Sequence, residues 1–352
     1  MYRVPQFTVT LNKINPINNS KSKIMHIPIH IRPRRNRKSA SIRSMVKENT
    51  LQVTDLIMPL FVVEGKSIKE DIVSMPGIFR YSTDLIVQEC KTLFELGVPG
   101  IVLFPALSND IKDPMAKEST NPNGLYQRTL SEIKYAVPGL TVITDVAMDP
   151  YNSDGHDGYV NEKGEIENDT TLQVLAEMAV SQARAGADIL APSDMMDGRV
   201  GYIRDALDNE GFTQVGILAY SAKYASAFYG PFRDALESTP KQGDKKTYQM
   251  DSANVIEAIR EVMLDIDEGA DMVMVKPGLP YLDVIRAVSE VSTVPVAVYN
   301  VSGEYAMLKG AGMNGWVDYE KVVMETMMGF KRAGASMILT YHAKEVAQWL
   351  AK

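Results

Sequence analysis

The chain is short of the residues and segments that mark several classes of protein. Its 352 residues include one cysteine, Cys90, so no disulfide can form within the chain and a zinc site built from several cysteines is excluded. No apolar run reaches the length of a membrane-spanning helix. No Gly-x-Gly-x-x-Gly follows the first apolar run, which argues against a dinucleotide-binding fold. We therefore expect a soluble protein of a reducing compartment that has no membrane partner.

Acidic residues are absent from the start of the chain. No Asp or Glu precedes Glu48, whereas the run 32–38 is almost wholly basic. With a net charge of −7, the rest is strongly acidic and repels nucleic acid. We predict a basic N-terminal extension over residues 1–50, poorly ordered over 1–31, and a catalytic domain over 51–352. The extension is expected to be an arm that contacts another subunit of a cytoplasmic protein. The alternative is an organelle transit peptide, which would place the protein in a plastid.

From about residue 54, short apolar runs alternate with helical patterns. Eight runs read as buried parallel strands: Asp55–Val63, Gly100–Pro105, Leu140–Met148, Ala187–Ser193, Val215–Ser221, Asp271–Val275, Val294–Val301 and Ala335–Tyr341. The helical patterns are Ser82–Leu96, Asp169–Ala185, Ser252–Glu268, Tyr281–Val291, Asp318–Arg332 and Ala343–Leu350. This alternation predicts an α/β protein, a (β/α)8 TIM barrel behind an N-terminal arm. A doubly wound open sheet is the alternative.

Polar residues gather where the predicted strands end, which is where barrel enzymes carry their chemistry. They are Asp145 and Asp149 at the end of strand three, Ser193 at the end of strand four, Lys223 at the end of strand five, Lys276 at the end of strand six, Tyr299 and Ser302 at the end of strand seven, and Tyr341 at the end of strand eight.

Lys223 and Lys276 are the most informative of these residues. A single lysine after a strand is more often solvated than catalytic. However, an ammonium with apolar neighbours or beside a second ammonium loses its proton more easily, and the neutral amine can form a Schiff base with a carbonyl. Because the two lysines lie on adjacent predicted strands, a joint site for two carbonyl substrates is the better interpretation.

Two loops add polar groups near the ends of the predicted strands. The segment 145–158 carries four acids and His156, which suits proton transfer or a hard cation, although a polar turn has the same composition. The segment 229–249 carries Arg233, Lys245 and Gln249, which suit recognition of a carboxylate but are common on solvated loops as well.

Six segments together closely resemble the porphobilinogen synthase (5-aminolevulinate dehydratase) family. They are Arg32–Arg35, Ser193–Arg199, Ser221–Ser226, Phe228–Asp234, Met274–Gly278 and Val301–Glu304, and the resemblance covers roughly residues 32–350. It implies a barrel lyase that condenses two 5-aminolevulinate molecules to porphobilinogen with loss of two waters, in the synthesis of haem, chlorophyll and cobalamin.

The resemblance also implies residue roles. Lys276 would form the Schiff base with the substrate that becomes the propionate side, and Lys223 with the acetate-side substrate. The propionate-side carboxylate would contact Ser302 and Tyr341. The remaining positions that match the family's site are Arg233, Lys245 and Gln249 for the acetate-side carboxylate, Asp145 and Ser193 near the propionate-side amino group, and Tyr299 and Phe232 as pocket walls.

This sequence differs from the zinc-dependent members of the family at three positions that bear on metal binding. Zinc-dependent members carry three cysteines where this chain has Ala147, Asp149 and Asp157, so no active-site zinc is expected. The pattern resembles the aspartate-rich, magnesium-responsive branch, in which an allosteric Mg²⁺ outside the active site supports the oligomer and the matching carboxylate is Glu261. Whether Asp149 and Asp157 bind a metal or act directly on the substrate stays open. The family forms homo-oligomers, often octamers.

Two other functions compete with this interpretation. A class I aldolase uses the same fold and needs only one Schiff-base lysine. A regulatory or RNA-binding barrel would use the basic leader and would turn over no aminolevulinate.

Overall fold

The computed structural model describes residues 29–236 and 240–352. Most of the segment 1–31, which was predicted to be poorly ordered, therefore lies outside the described residues. Contacts divide the chain into two units, Met1–Glu48 and Asn49–Lys352. In the first unit, a short 3-10 helix at Pro33–Arg37 precedes helix α1 (Ala40–Met45), and Ser39 caps α1 by accepting from the backbone N–H of Ile42 at 3.3 Å.

The second unit is a closed barrel of eight parallel strands, as the sequence predicts. They are β1 (Leu56–Val63), β2 (Gly100–Ala106), β3 (Thr141–Val146), β4 (Ile189–Pro192), β5 (Gly216–Lys223), β6 (Met272–Lys276), β7 (Val296–Asn300) and β8 (Met337–Thr340). Neighbours in chain order pair in parallel, and β8 closes the barrel on β1 through Leu56 opposite Ile338. The strands are buried almost throughout because helices cover the outside, so their sequences are continuous apolar runs. The open-sheet alternative is therefore wrong.

Helices fill the connections between these strands. The helices after α1 are α2 (Thr83–Glu95), α3 (Leu125–Ala136), α4 (Asn168–Ala185), α5 (Arg199–Asn209), α6 (Gly230–Leu236), α7 (Ile256–Asp267), α8 (Leu282–Val291), α9 (Ser302–Met313), α10 (Tyr319–Ala333) and α11 (Ala343–Leu350). The helix predicted from Ser252 begins only at Ile256. The Asp251 side chain accepts from the backbone N–H of Ala253 at 2.9 Å, which stabilises a turn where the helix was expected.

Two short hairpins were not predicted from the sequence. Strand Phe79–Tyr81 pairs in parallel with the carboxyl end of β1 and antiparallel with Lys69–Asp71. The second hairpin pairs Tyr159–Val160 with Ile166–Glu167. Strands this short are partly or wholly exposed and carry no apolar period that would distinguish them from loops.

The carboxyl ends of β5 and β6 place the two lysines side by side. β5 runs on to Lys223, two residues beyond its predicted end, and in the register of the pair Lys223 lies directly opposite Lys276. Neighbouring strands are about 5 Å apart, so both side chains leave the sheet at one edge of the barrel mouth.

Candidate active site

Lys276 lies in an aromatic cage. Its side chain is 6% exposed, and its ammonium group faces the rings of Tyr220, Tyr299, Tyr229 and Phe232 at 4.9, 4.9, 5.2 and 5.2 Å from their centroids. Burial, followed by repulsion from Lys223, lowers the pKa of Lys276 to about 7. A large fraction of this amine is therefore neutral and nucleophilic at neutral pH.

Lys223 has polar neighbours instead. Its ammonium donates to the Asp157 carboxylate at 3.1 Å and to the backbone carbonyl of Ser193. Lys245 donates to the second oxygen of Asp157 at 2.5 Å and to Asp149 at 3.2 Å. The four side chains form a buried row of alternating charge, Lys223–Asp157–Lys245–Asp149.

This row controls the protonation of its members. Burial alone would raise the pKa of Asp157, but the ammonium groups of Lys223 and Lys245 hold it well below its usual range. Burial likewise works against the charged form of Lys245, yet Asp149 and Asp157 raise its pKa above the ordinary lysine value. Asp157 is thus charged, and both carboxylates already pair with ammonium groups. Among residues 29–236 and 240–352, no cluster of three or more His, Cys, Asp or Glu side chains could hold a metal ion.

Asp145, on β3, lies near this row and is buried. Burial, and then the nearby carboxylate of Asp149, raise the pKa of Asp145 to about 7, against the opposing effects of Lys276, Lys223 and a hydrogen bond with Ser193. Asp145 and Lys276 therefore titrate in the same range. A proton can pass between such groups, or between either group and a substrate, at little free-energy cost.

Hydroxyl groups gather near Lys276 as well. Tyr299 and Tyr341 are buried and hydrogen-bonded to each other at 3.0 Å, and Ser302 accepts from the backbone N–H of Phe232 at 3.0 Å. Ser302 is the first residue of α9, so a carboxylate bound there would meet the positive end of the helix dipole. Phe232 also packs edge-on against Phe104, with ring centroids 5.0 Å apart.

The segment after β5 brings two further predicted residues to the mouth. Arg233 follows Phe232 in α6, is partly buried, and has no ion-pair partner in the part of the chain that the structure describes. The backbone N–H of Gln249 donates to the carbonyl of Lys245 at 2.9 Å, and its buried side-chain oxygen has no hydrogen-bond partner among the described residues. Arg233 and Gln249 thus offer unused polar groups beside the row of alternating charge.

Glu261 is not part of this cluster. It lies on α7, half-buried, and lines a cavity of about 1150 Å³ together with Glu257 and Asp197. Burial, and then the acids Asp265, Asp197 and Glu257, raise the pKa of Glu261 despite the proximity of Arg199.

Several residues of the site were missed from the sequence. Tyr220 and Tyr229, which complete the cage around Lys276, lie within quoted or neighbouring motifs but have no spacing that marks them. Tyr248 was missed as well. It bonds His156 of the acidic loop at 3.1 Å, and His156 also bonds the carbonyl of Gln242 at 2.9 Å, which ties that loop to the segment that follows α6. Glu304 is wholly buried beside the turn after Lys276. Only the fold brings these residues together.

Comparison with known proteins agrees with this geometry. A family model described as delta-aminolevulinic acid dehydratase matches residues 30–349. The delta-aminolevulinic acid dehydratase of Synechococcus elongatus is 54% identical over 327 residues, which are 92% of this chain and 99% of that protein. The chloroplastic enzyme of Chlamydomonas reinhardtii is 54% identical over 332 residues, 91% of this chain and 84% of that protein.

A solved structure is similar over the same range. The Toxoplasma gondii delta-aminolevulinic acid dehydratase (porphobilinogen synthase), in complex with the reaction product porphobilinogen, has a TM-score of 0.90 and 51% sequence identity, and the match covers 92% of each chain. No described helix is both long and apolar enough to cross a membrane. The family match, the identities and the shared fold together show that this chain belongs to the delta-aminolevulinic acid dehydratase (porphobilinogen synthase) family of lyases.

Proposed function

We propose that the chain condenses two molecules of 5-aminolevulinate to porphobilinogen in tetrapyrrole biosynthesis. The observation that carries this proposal is the pair of buried lysines in register on β5 and β6, of which Lys276 has a pKa of about 7. Each amine attacks one substrate ketone and expels water to form an imine. In the overall reaction one C–C and one C–N bond join the two molecules, two waters leave, and both lysines return to free amines.

The two lysines meet different surroundings, which suits two different substrate positions. Lys276 is caged by aromatic rings, and we assign to it the propionate-side substrate, whose carboxylate would be bound by Ser302 and Tyr341. Tyr299 and Phe232 would form the walls of that pocket. Asp145 and Ser193 would bind its amino group, with Asp145 taking up and returning protons near neutral pH.

We assign the acetate-side substrate to Lys223. Its carboxylate would be bound by Arg233, Lys245 and Gln249, which flank that lysine on the segment after β5. Asp149 and Asp157 would face the amino group of this substrate as the pyrrole ring of the product forms, and the ammonium groups of Lys223 and Lys245 keep Asp157 charged. Holding both substrates in fixed orientation makes a bimolecular condensation effectively intramolecular.

Product formation from 5-aminolevulinate by the purified protein tests this function. We expect Lys223→Ala and Lys276→Ala each to abolish porphobilinogen formation. A class I aldolase needs only one Schiff-base lysine, so equal loss of activity in the two variants would count against that alternative. Lys246→Ala is the matched control, because this neighbouring lysine is exposed and pairs only with Asp244.

We further propose that the enzyme needs no active-site zinc and responds to a magnesium ion outside the active site. The loop that carries three cysteines in zinc-dependent members offers no thiolate in this chain. Its carboxylates, Asp149 and Asp157, already face ammonium groups, which would repel a cation. Glu261, by contrast, lines an open cavity with Glu257 and Asp197, and because these carboxylates do not converge as a three-ligand cluster, a hard Mg²⁺ held there would keep several waters. Glu261 would hold this ion, whose charge would offset the local surplus of carboxylates.

For assembly we propose a homo-octamer whose N-terminal arms contact neighbouring subunits, with no nucleic-acid partner. For the compartment we propose the cytoplasm, with a plastid as the alternative. Similar proteins include bacterial and chloroplastic enzymes, so cell fractionation is the experiment that separates the two.

A further inference from the structure

A buried carboxylate lies beneath the turn that follows Lys276. Glu304, the third residue of α9, has no exposed surface. One of its oxygens accepts hydrogen bonds from the backbone N–H groups of Gly278 and Leu279 at 2.9 and 3.0 Å. Its other oxygen accepts from the side-chain amide of Asn300 at 2.6 Å.

The hydrogen bonds continue across two more strand ends. The side-chain oxygen of Asn300 accepts from the hydroxyl of Thr340 at 2.9 Å, and that hydroxyl oxygen accepts from the backbone N–H of His342 at 3.2 Å. One network thus ties together the carboxyl ends of β6, β7 and β8. We call the side chains of Glu304, Asn300 and Thr340, together with the backbone of the turn 278–279, the strand-end network.

Each strand in this network carries a residue of the proposed propionate-side pocket. Lys276 is two residues before Gly278, Tyr299 directly precedes Asn300, and Tyr341 follows Thr340. The relative positions of the amine and of the two tyrosine hydroxyls are therefore set by hydrogen bonds one or two residues away.

Burying the carboxylate of Glu304 costs free energy that a purely structural role would not require. A carboxylate taken out of water favours its neutral form, and burial raises the pKa of Glu304 to about 7, against the hydrogen bonds from Asn300 and the turn. In the described part of the chain no lysine or arginine forms an ion pair with it. An acid that served only the first turn of a helix could do so on the surface.

Close packing around the turn leaves its backbone little room to adopt another conformation. A Cβ atom at Gly278 would lie 2.8 Å from a ring carbon of Phe330 and 2.8 Å from a methyl of Val298. On the other strand edge, the carbonyl of Lys276 accepts from the backbone N–H of Tyr224 at 2.9 Å. Glu304 accepts from the backbone N–H groups of Gly278 and Leu279, just beyond the lysine.

We propose that Glu304 is a positioning residue for Lys276, and that it acts through the backbone of the turn 278–279 rather than by touching substrate. The proposal rests on the proposed function, because it concerns the amine that would form the propionate-side Schiff base. Replacing Glu304 would leave Lys276 present and buried but no longer held in its reactive orientation. A misplacement of about 1 Å at a reacting group can cost about a hundredfold in rate.

The test compares Glu304→Leu with Glu304→Gln in the full-length protein. Both variants are mixed with 5-aminolevulinate, the imine is reduced with borohydride, and peptide mass mapping measures the rate of adduct formation at Lys276. For Glu304→Leu we expect this rate and kcat to fall about a hundredfold with KM changed by less than about threefold. Glu304→Gln keeps an oxygen acceptor for Gly278 and Leu279, and a flipped Asn300 can face its amide, so we expect recovery to within about fivefold of wild type.

Asp271→Asn is the matched control. Asp271 precedes the opposite end of β6 and also accepts from a backbone N–H, that of Ile217 at 2.7 Å. We expect this variant to form the Lys276 adduct at the wild-type rate. A folded Glu304→Leu protein with a wild-type rate of adduct formation would overturn the proposal, and so would an equal loss in Glu304→Gln.

If Glu304→Leu does not fold, Glu304→Asp keeps the charge on a shorter side chain. We expect slower adduct formation at Lys276 in that variant, and an unchanged rate would again refute the positioning role. Wild-type protein that formed neither porphobilinogen nor a Lys276 adduct would overturn the proposed function instead, so the two failures are distinguishable.

Discussion

At the scale of single residues, the site depends on how the protein sets the charge of a few amines and acids. An ordinary lysine has a pKa near 10.4, so only roughly one in a few thousand is neutral at pH 7. Burial in the aromatic cage, helped by Lys223, brings the pKa of Lys276 to about 7. Burial and the carboxylate of Asp149 raise the pKa of Asp145 to about 7, so a proton acceptor is matched to the nucleophile.

This protonation predicts the pH dependence of imine formation. Because the neutral amine reacts, the rate of borohydride-trapped adduct at Lys276 should rise as the pH increases through about 7 and then level off. In Lys223→Gln the midpoint should move to higher pH, since a neighbouring positive charge is lost and Asp157 loses a partner. A wild-type midpoint near the ordinary lysine value would contradict this account.

Lys245 and Lys246 offer a comparison of two adjacent lysines. Lys245 is buried between Asp149 and Asp157, whereas Lys246 is exposed. Lys245→Ala should lower kcat/KM at least about tenfold, the effect of losing a hydrogen bond to a charged group worth about 1.5–3 kcal/mol. Lys246→Ala should leave steady-state kinetics unchanged. Equal effects of the two substitutions would mean that the row of alternating charge has no part in the reaction.

At the scale of secondary-structure elements, the turn after β6 determines where the lysine points. A methyl group at Gly278 would press on Phe330 and Val298, so Gly278→Ala should lower the free energy of unfolding by about 1–3 kcal/mol and slow porphobilinogen formation. Gly310 lies within α9 and has open space around its Cβ position. Gly310→Ala should therefore stabilise the protein by about 0.5–1 kcal/mol.

Thermal unfolding of the two glycine variants, with product formation measured alongside, checks this pair. An unchanged melting temperature and rate for Gly278→Ala would show that the turn can relax. The inferred role of Glu304 in holding that turn would then lose its structural basis.

At the scale of the whole molecule, the strand and helix periods were sufficient to predict the barrel and the order of its eight strands. The bounds of the strands were less accurate, because β5 continues to Lys223 only through its pairing with β6. The predicted pocket residues meet at one mouth because parallel strands all end there. The cage residue Tyr220 and the network residue Asn300 could not be predicted, since their neighbours are far away in sequence and are set by the closure of the barrel.

Metal removal tests the proposed assembly as a whole. If Mg²⁺ near Glu261 supports the oligomer, EDTA should lower activity or shift the particle to a smaller mass, and added Mg²⁺ should restore both. Light scattering after size-exclusion chromatography gives the mass, and an octamer is expected with Mg²⁺ present. Zinc-selective chelators should have little effect. Full activity and unchanged mass without divalent ions would refute the magnesium proposal.

The most direct test of the central claim is to trap both imines in wild-type protein. 5-Aminolevulinate and borohydride are added together, and peptide mass mapping locates the reduced adducts. We predict adducts on Lys223 and Lys276 and on no other lysine, with loss of porphobilinogen formation in proportion to trapping. Adducts on one of the two lysines only, or loss of activity without any lysine adduct, would contradict a reaction carried by two Schiff bases.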